Sequence, residues 1–347
     1  MKKTLTSKLR HILQSLKKRF VPVSLILMYH RVADIKTDPW QLSVSPQHFS
    51  EHLEVLQKMA CSQRLDHLAH ALQQGKIPRR SVVITFDDGY ADNLSTAKPL
   101  LERFHIPATF FLSTGCIEGH REFWWDELER LILQPLILPD KLQLSIRGKL
   151  YEWDLDGEVT LNDDRMRKNI SWRAWEEAPG IRHEIYYLLW QLLKPLEDNE
   201  RQHLLDQMLQ WVGTQSLIRS THSLLKPEEI SLLAQGDMIE IGAHSATHAS
   251  LPSHSLSYQR DEINGSKKYL EELLGNPLTS FSYPYGDYTP ETMALVKDAG
   301  FFCACSSHAG GVLLNSDHFQ LPRLQVPDWD GEEFEKQLLT WFTEQCP

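Results

Sequence analysis

The stretch SVVITFDDGY, residues 81–90, runs an almost wholly apolar segment directly into two adjacent aspartates and a glycine. Short apolar runs rich in β-branched residues are typical of strands buried on both faces, as in a parallel sheet. Two acids at the end of such a strand predict either a solvated turn or a site that holds a positive charge. Gly89 permits the sharp turn that would bring Asp87 and Asp88 into one cavity, because a regular strand would point them to opposite faces.

Similar apolar runs recur along the chain and predict the other strands of this sheet. They lie at about residues 24–29, 82–86, 108–113, 238–242, 279–283, 301–305 and 321–326. Helical patterns lie between most of them, and such alternation predicts an α/β fold. Seven strands favour a closed or nearly closed barrel over an open sheet. We place this barrel on residues 21–119 and 237–347.

Residues 120–236 interrupt the alternation and hold seven of the ten tryptophans. KLQLSIRGKLYEWDL, residues 141–155, predicts a β-hairpin with Arg147 and Gly148 at its turn. RHEIYYLLWQLLKPL and NERQHLLDQMLQWVG predict two amphipathic helices. We interpret the segment as an inserted, mostly helical subdomain. Its tryptophans either pack in its core or form aromatic platforms for sugar rings.

Composition limits the class of protein. The chain has 347 residues and a net charge of −10, which argues against a general nucleic-acid binder. The five cysteines are scattered and odd in number, a pattern that does not form a disulfide framework and that fits a reducing compartment. The sequence indicates no oligomeric state.

The N-terminal segment differs from the rest in charge. Residues 1–20 carry seven basic residues and no acid, so the remaining 29 basic and 46 acidic residues leave −17. One helical stripe there is apolar: Leu5, Leu9, Ile12, Leu13, Leu16 and Phe20. Such a helix either lies on an anionic membrane surface or caps the fold. The apolar run FVPVSLILM is too short to span a bilayer, and no small-residue cleavage site follows it. We therefore expect a cytoplasmic protein, with peripheral contact at the inner face of the membrane as one use of residues 1–20.

A second polar cluster is EIGAHSATHASL, residues 240–251. His244 and His248 are four residues apart, so a helix that followed the strand would place both imidazoles on one face. Two neutral imidazoles and one carboxylate make a transition-metal triad that leaves open positions for water. A bare HxxxH pattern is more often structural, but this one follows a buried strand, as Asp87 and Asp88 do.

Three further candidates also lie at or near predicted strand ends. In FSYPYGDY, residues 281–288, a turn after a strand could aim the N–H of Tyr285 into a cavity as an oxyanion donor. His30 ends the strand in VSLILMYH, and Arg323 in LPRL could pair with a carboxylate. The carboxyl ends of parallel barrel strands share one face, where active sites form. We therefore expect these groups to meet in one site.

These residues give the chain its resemblance to a known family. TFDDGY, HSATH and YPYG resemble the three motifs of the carbohydrate esterase family 4 polysaccharide deacetylases. The early MYHRV, residues 28–32, is similar to the branch that includes the poly-N-acetylglucosamine deacetylases. The resemblance implies a distorted (β/α)7 barrel, and it leaves the inserted subdomain outside the common core.

The resemblance also implies an activity and a metal. The expected reaction is hydrolysis of N-acetyl groups on the amino sugars of a polysaccharide, an oligosaccharide or a lipid-linked glycan. Asp88, His244 and His248 would bind a divalent metal, which in this family is commonly zinc, with cobalt, nickel or manganese as alternatives. Two other activities stay open: hydrolysis of another acyl group, such as a formamido or O-acetyl sugar, and carbohydrate binding without turnover.

The remaining roles follow from the same resemblance. Asp87 would be the general base, Tyr285 would supply the oxyanion N–H, and His30 would be the general acid. The chain departs from many family members in two places. It lacks the arginine of the third motif that holds the base, so Arg323 is the candidate in its stead. It also lacks the late Leu-x-His that supplies the acid elsewhere, so that role depends on His30.

Overall fold

The computed structural model describes residues 23–117, 121–155 and 157–344. The strands in these residues are β1 (Ser24–Tyr29), β2 (Arg31–Val32), β3 (Ser43–Val44), β4 (Cys61–Ser62), β5 (Ser81–Phe86), β6 (Ala108–Leu112), β7 (Lys141–Ile146), β8 (Lys149–Asp154), β9 (Ile239–Ala243), β10 (Ser280–Ser282), β11 (Cys303–Cys305) and β12 (Leu324–Gln325). The α-helices are α1 (Pro46–Met59), α2 (Leu65–Gln73), α3 (Lys98–Phe104), α4 (Trp124–Ile132), α5 (Asp163–Ser171), α6 (Ile181–Leu193), α7 (Asp198–Val212), α8 (Pro227–Leu233), α9 (Leu256–Leu274), α10 (Pro290–Asp298) and α11 (Gly331–Glu344).

Seven parallel strands form the central sheet in the order β11-β10-β9-β6-β5-β1-β12, and the short β4 pairs with β5 beside this path. The sheet curls until its two ends meet. Leu321, just before β12, donates its N–H to Ala304 in β11 and accepts from Ser306, each at 2.9 Å. The last strand therefore pairs first with β11 and then with β1, which explains why the apolar run at 321–326 is longer than β12. The predicted distorted (β/α)7 barrel is confirmed.

Successive residues of each strand pack on opposite sides of this sheet. In β1, Leu25 and Leu27 join the cluster that contains Phe49, whereas Ile26 joins the one that contains Phe111 and Cys305. Both faces are buried, which is why the strands read as unbroken apolar runs. Some of the side chains that point into the barrel are polar, and these lie toward the carboxyl ends of the strands.

The inserted subdomain has a hydrophobic core of its own. Trp124, Leu142, Leu189 and Leu205 are among its buried members, from α4, β7, α6 and α7. Strands β7 and β8 form the predicted hairpin, which turns at Arg147 (φ 49°) and Gly148 (φ 80°). Tyr90, which follows β5, also belongs to this core. The barrel and the insertion therefore contact each other at Tyr90, two residues after Asp88.

Two of the features predicted from the sequence involve residues that the structure does not describe. Residues 1–20, the predicted basic helix, lie outside the described residues, as does Cys346. The four described cysteines are free thiols. Within the described parts of the chain, no helix combines the length and apolar character that crossing a membrane requires.

Candidate active site

The carboxyl ends of the barrel strands surround a cavity of about 280 Å³. All seven residues singled out in the sequence line it: His30, Asp87, Asp88, His244, His248, Tyr285 and Arg323. They come from the ends of β1, β5, β9, β10 and the segment before β12. The parallel arrangement brings the first six together, since the strands before them end at the same rim, whereas Arg323 precedes its strand.

Asp88, His244 and His248 form a compact, buried triad at the base of this cavity. The Oδ1 atom of Asp88 lies 3.6 Å from Nε2 of His244 and 3.4 Å from Nε2 of His248. The three ligand atoms all lie within 4.8 Å of one another. Among the residues that the structure describes, this is the one group of three or more His, Cys, Asp or Glu side chains placed to hold a metal ion.

Hydrogen bonding and burial prepare the two imidazoles as ligands. His244 Nδ1 lies 2.8 Å from the carbonyl oxygen of Ser282, so it carries the proton and leaves the Nε2 lone pair facing Asp88. Burial lowers the pKa of His244 to about 4 and that of His248 to about 3. Both rings are therefore neutral near pH 7, which is the form that binds a metal.

The residues of the triad fit a divalent cation. Asp88 Oδ1 is buried and makes no hydrogen bond within the described residues. Burial raises the pKa of Asp88, because a carboxylate without a donor is costly to bury. One carboxylate and two neutral imidazoles form a donor set suited to zinc and to neighbouring transition metals. A metal ion would give the orphaned oxygen its missing partner.

Asp87 has a different partner. Nη1 of Arg323 donates to Asp87 Oδ1 at 2.7 Å, and Nη2 donates to Oδ2 at 2.6 Å. Nη2 of Arg323 also donates to the Ser282 hydroxyl at 2.8 Å, and Nε donates to the Ser306 carbonyl at 2.8 Å. This fork–fork pair is the geometry in which an arginine fixes a carboxylate most firmly. The positive partner that the third motif lacks thus comes from the far end of the chain.

The charge of Arg323 decides the protonation state of Asp87. Burial by itself would raise the pKa of Asp87, but Arg323, followed by His244, lowers it well below its usual range. Asp87 is therefore ionised at neutral pH although it is buried. A buried, ionised carboxylate beside an open metal site can accept a proton from a water molecule there.

His30, which directly follows β1, lines the same cavity. Its carbonyl oxygen accepts a hydrogen bond from the Asn93 amide at 2.9 Å, which ties the end of β1 to the π-helical turn Asn93–Ala97. Burial lowers the pKa of the His30 imidazole, and the Asp88 and Asp87 carboxylates oppose that shift. Burial outweighs the two carboxylates, so the ring is neutral near pH 7 and must gain a proton during a reaction before it can donate one.

The backbone at this rim takes up left-handed conformations that side chains rarely adopt. Asp88 has φ 77°, His248 φ 51° and Tyr285 φ 59°. Each costs about 1 kcal/mol or more in a non-glycine residue, and such residues gather at functional sites. The turn that admits both acids is therefore made by Asp88 itself as well as by Gly89 (φ 100°).

His244 and His248 do not lie on a helix. Residues 244–248 form a loop after β9, with Ser245 (φ 59°) and His248 both left-handed. This loop brings the two ring centroids to 4.8 Å. The four-residue spacing of an HxxxH pattern is satisfied by a helix and by this loop alike, so spacing alone did not distinguish them.

Residues of the insertion that sequence reasoning did not assign also line the cavity. Trp125 packs its ring 4.7 Å from that of His248, and its indole N–H donates to the Tyr90 hydroxyl at 3.0 Å. The Tyr90 hydroxyl in turn donates to Asp126 at 2.7 Å. Trp190 and Lys194 of the insertion lie at the cavity wall as well, together with Trp40 from the barrel.

Known proteins are similar to this chain in sequence and in fold. The family model described as polysaccharide deacetylase matches residues 74–137 and 197–304, and the gap between these ranges lies within the insertion. The Bacillus subtilis protein YxkH, whose name places it among the polysaccharide deacetylases, is 32% identical over 104 residues, 29% of this chain and 36% of that protein. That match therefore spans only about a third of YxkH.

Two longer matches cover most of the chain. The poly-beta-1,6-N-acetyl-D-glucosamine N-deacetylase of Staphylococcus aureus is 21% identical over 300 residues, 86% of this chain and 72% of that protein. The structure of Streptococcus pyogenes deacetylase PplD, solved in complex with acetate, superposes with a TM-score of 0.58 at 15% identity. The superposition covers 92% of this chain and 99% of that one, and at this identity it shows a shared fold.

Proposed function

The chain belongs to the polysaccharide deacetylase family, and we propose that it is a metal-dependent hydrolase that removes N-acetyl groups from the amino sugars of a glycan. The glycan would be a polysaccharide, an oligosaccharide or a lipid-linked chain. One observation carries the proposal: two adjacent carboxylates have different partners. Asp88 faces two neutral imidazoles, whereas Asp87 is held by Arg323.

The triad supplies the metal site of the proposed reaction. A divalent metal, zinc in this proposal, would be held by Asp88, His244 and His248 and would polarise the acyl oxygen and lower the pKa of a bound water. The Ser282 carbonyl fixes the tautomer of His244, so the metal-binding nitrogen needs no rearrangement. Cobalt, nickel or manganese would suit the same donors.

Asp87 would act as the general base. Its carboxylate is ionised and held by two short hydrogen bonds from Arg323, so it can take the proton of the attacking water without moving. As the water oxygen bonds to the acyl carbon, that proton passes to Asp87. Arg323 would act as a positioning residue here, since it touches the base rather than the substrate.

His30 and Tyr285 would complete the reaction. The backbone N–H of Tyr285 would donate to the acyl oxygen as negative charge develops on it. His30 would give its proton to the sugar nitrogen as the carbon–nitrogen bond breaks, so the products are acetate and a free amine. The left-handed backbone of Tyr285 supports this role, because strain of this kind persists where function requires it.

We also propose that residues 1–20 hold the enzyme at the inner face of the membrane. The support is compositional: seven basic residues, no acid and one apolar stripe. Flotation with anionic liposomes should recover the full chain and should lose a chain that lacks residues 1–20. Equal recovery of the two would remove this part of the proposal.

An assay of both products tests the proposed activity. The zinc-loaded chain, incubated with N-acetylglucosamine oligomers, should release acetate and free amine in equal amounts. A chelator should stop both, and returning zinc should restore both. Counterparts that carry N-formyl or O-acetyl groups serve as competing substrates. Turnover of one of these, without acetate release from the N-acetyl oligomers, would contradict the proposed function.

A further inference from the structure

A second cavity, of about 490 Å³, lies on the insertion beside α6. Its apolar lining includes Trp175, which is 59% exposed, and Leu188, which is 43% exposed, together with Tyr187. Single exposed apolar side chains are common on protein surfaces, but several that line one groove mark a binding site. We call this cavity the α6 groove.

Contacts between aromatic rings link the wall of the α6 groove to the wall of the active-site cavity. The Tyr187 ring lies 6.4 Å from that of Trp40, and Trp40 lies 4.3 Å from Trp190. Trp190 in turn meets Tyr285 edge-on at 5.9 Å. A row of aromatic rings therefore leads from the candidate oxyanion turn to the groove.

One helix forms the floor of this row. Glu184, Tyr187 and Leu188 of α6 line the groove, whereas Trp190 and the adjoining Lys194 line the active-site cavity. At 1.5 Å per helical residue, the ten steps from Glu184 to Lys194 span about 15 Å. That distance is long enough for more than one sugar ring to lie along it.

Hydrogen bonds hold the loop that carries Trp40 in place against the insertion. The N–H of Ala174 donates to the Pro39 carbonyl at 2.9 Å, and the Trp40 indole donates to the Tyr186 hydroxyl at 2.9 Å. Asp38 accepts from the N–H groups of Leu42 and Ser43, so the loop that carries Trp40 is held at both ends. The rings are therefore presented in one arrangement before any ligand arrives, which reduces the entropic cost of binding.

The far end of the row is acidic. Glu176, Glu177 and Glu184 line the groove, all three are exposed, and no lysine or arginine among the described residues lines it. Glu177 and Glu184 have no ion-pair partner within the described residues, whereas Glu176 accepts only a backbone N–H, that of Arg173. Free carboxylates beside an exposed indole suit a cation that lies on the ring face.

We propose that the α6 groove binds glycan units that already carry a free amine. This inference rests on the proposed function, since each deacetylation would turn a neutral acetamido group into an ammonium group at neutral pH. The aromatic row would stack the apolar faces of the sugars, and the carboxylates would select the ammonium groups. The groove would then hold the deacetylated part of a chain while the next acetylated unit lies in the active-site cavity.

Binding of a product oligomer tests this directly. The probes are a fully deacetylated glucosamine oligomer and its fully N-acetylated counterpart of the same length, titrated calorimetrically into the zinc-loaded full chain. The deacetylated oligomer should bind at least fivefold more tightly than the acetylated one, and raised salt should weaken its binding. Glu177→Gln/Glu184→Gln should weaken it about fivefold, and Trp175→Ala about tenfold.

Matched variants distinguish a loss of binding at the α6 groove from an effect of net charge or of stability. Glu54→Gln/Glu335→Gln removes the same net charge from exposed residues elsewhere and should leave binding unchanged. Acetate release from an N-acetylglucosamine monosaccharide should be equal in all variants, because that substrate does not reach the groove. If wild-type chain releases no acetate, the proposed function fails, whatever the binding result.

Two results would overturn the inference while the activity stands. One is equal affinity for the two oligomers; the other is unchanged affinity in both groove variants. A synthetic peptide of residues 1–20 that displaced the oligomer, with no preference of the groove for ammonium over acetamido, would assign the groove to that basic segment instead.

Discussion

The barrel and the insertion send different kinds of side chain to the same cavity. From the barrel come charged or titratable groups at strand ends, such as Asp87, Asp88 and His244. From the insertion come Trp125 and Trp190, with Lys194 beside them. The barrel thus provides the groups that can bind a metal or move a proton, and the insertion provides apolar walls. The reactive groups and the apolar walls of the cavity therefore come from different parts of the chain.

Loss of a triad residue should have the largest effect, since it removes the barrel's chemistry outright. In Asp88→Ala or His244→Ala, two donors remain, too few to hold a metal in a site of this kind. We expect loss of bound zinc by elemental analysis and loss of acetate release. His67→Ala, an exposed histidine on α2, is the matched control and should keep both. A triad variant with normal zinc content would contradict the assignment.

Arg323→Met tests the other carboxylate and should come next in size. It leaves Asp87 buried and unpaired, which should lower the free energy of unfolding by about 3–5 kcal/mol and reduce activity with it. Denaturant unfolding and acetate release measure the two effects.

Arg323→Lys keeps the charge but not the two-pronged hydrogen bond, so both effects should be intermediate. Full activity in Arg323→Met would mean that Asp87 needs no cationic partner.

A smaller effect is expected from the insertion. Trp125→Phe removes the N–H bond to Tyr90 and loosens the packing against His248. Residues that orient metal ligands typically contribute 10- to 100-fold in metal affinity or activity. A zinc titration should show a loss in that range.

Trp211→Phe is its matched control, because it also removes an indole hydrogen bond within the insertion, to the Lys141 carbonyl. Equal effects from the two substitutions would mean that Trp125 acts only through general stability.

Loss of the ion pair between Lys194 and Asp287 should have the smallest effect on activity. It joins the insertion to the turn after β10 at 2.7 Å, but Asp287 is 41% exposed. Exposed pairs contribute about 0–1 kcal/mol, so Asp287→Asn should change kcat/KM by less than about fivefold. A hundredfold loss would show that the insertion positions the Tyr285 turn as well as walling the cavity.

The same contrast explains how much could be predicted from the sequence. The strands and their shared rim follow from apolar runs that end in polar groups, so the barrel and seven of the residues that line the cavity could be named. The contacts of Trp125 could not, because nothing in its local pattern separates a core tryptophan from one against His248. The loop at 244–248 could not be distinguished from a helix, since left-handed residues other than glycine leave no mark in the sequence.

The contact of Arg323 with Asp87 could be predicted only in part. Its place in the predicted last strand made it a candidate partner of Asp87, but 236 positions separate the two residues. The sheet brings them together, because β1 pairs with β5 on one side and with β12 on the other. Contacts between strands so far apart in the sequence follow from the fold and not from any local pattern.

Asp87→Asn tests the division between the two carboxylates most directly, when zinc content and acetate release are measured on one preparation. Asn keeps the shape of Asp87 but cannot accept the proton of the attacking water. We predict zinc content equal to that of the wild-type chain, with acetate release reduced by about a hundredfold or more. Wild-type turnover in Asp87→Asn, or loss of zinc from it, would contradict the assignment of Asp87 to the proton and Asp88 to the metal.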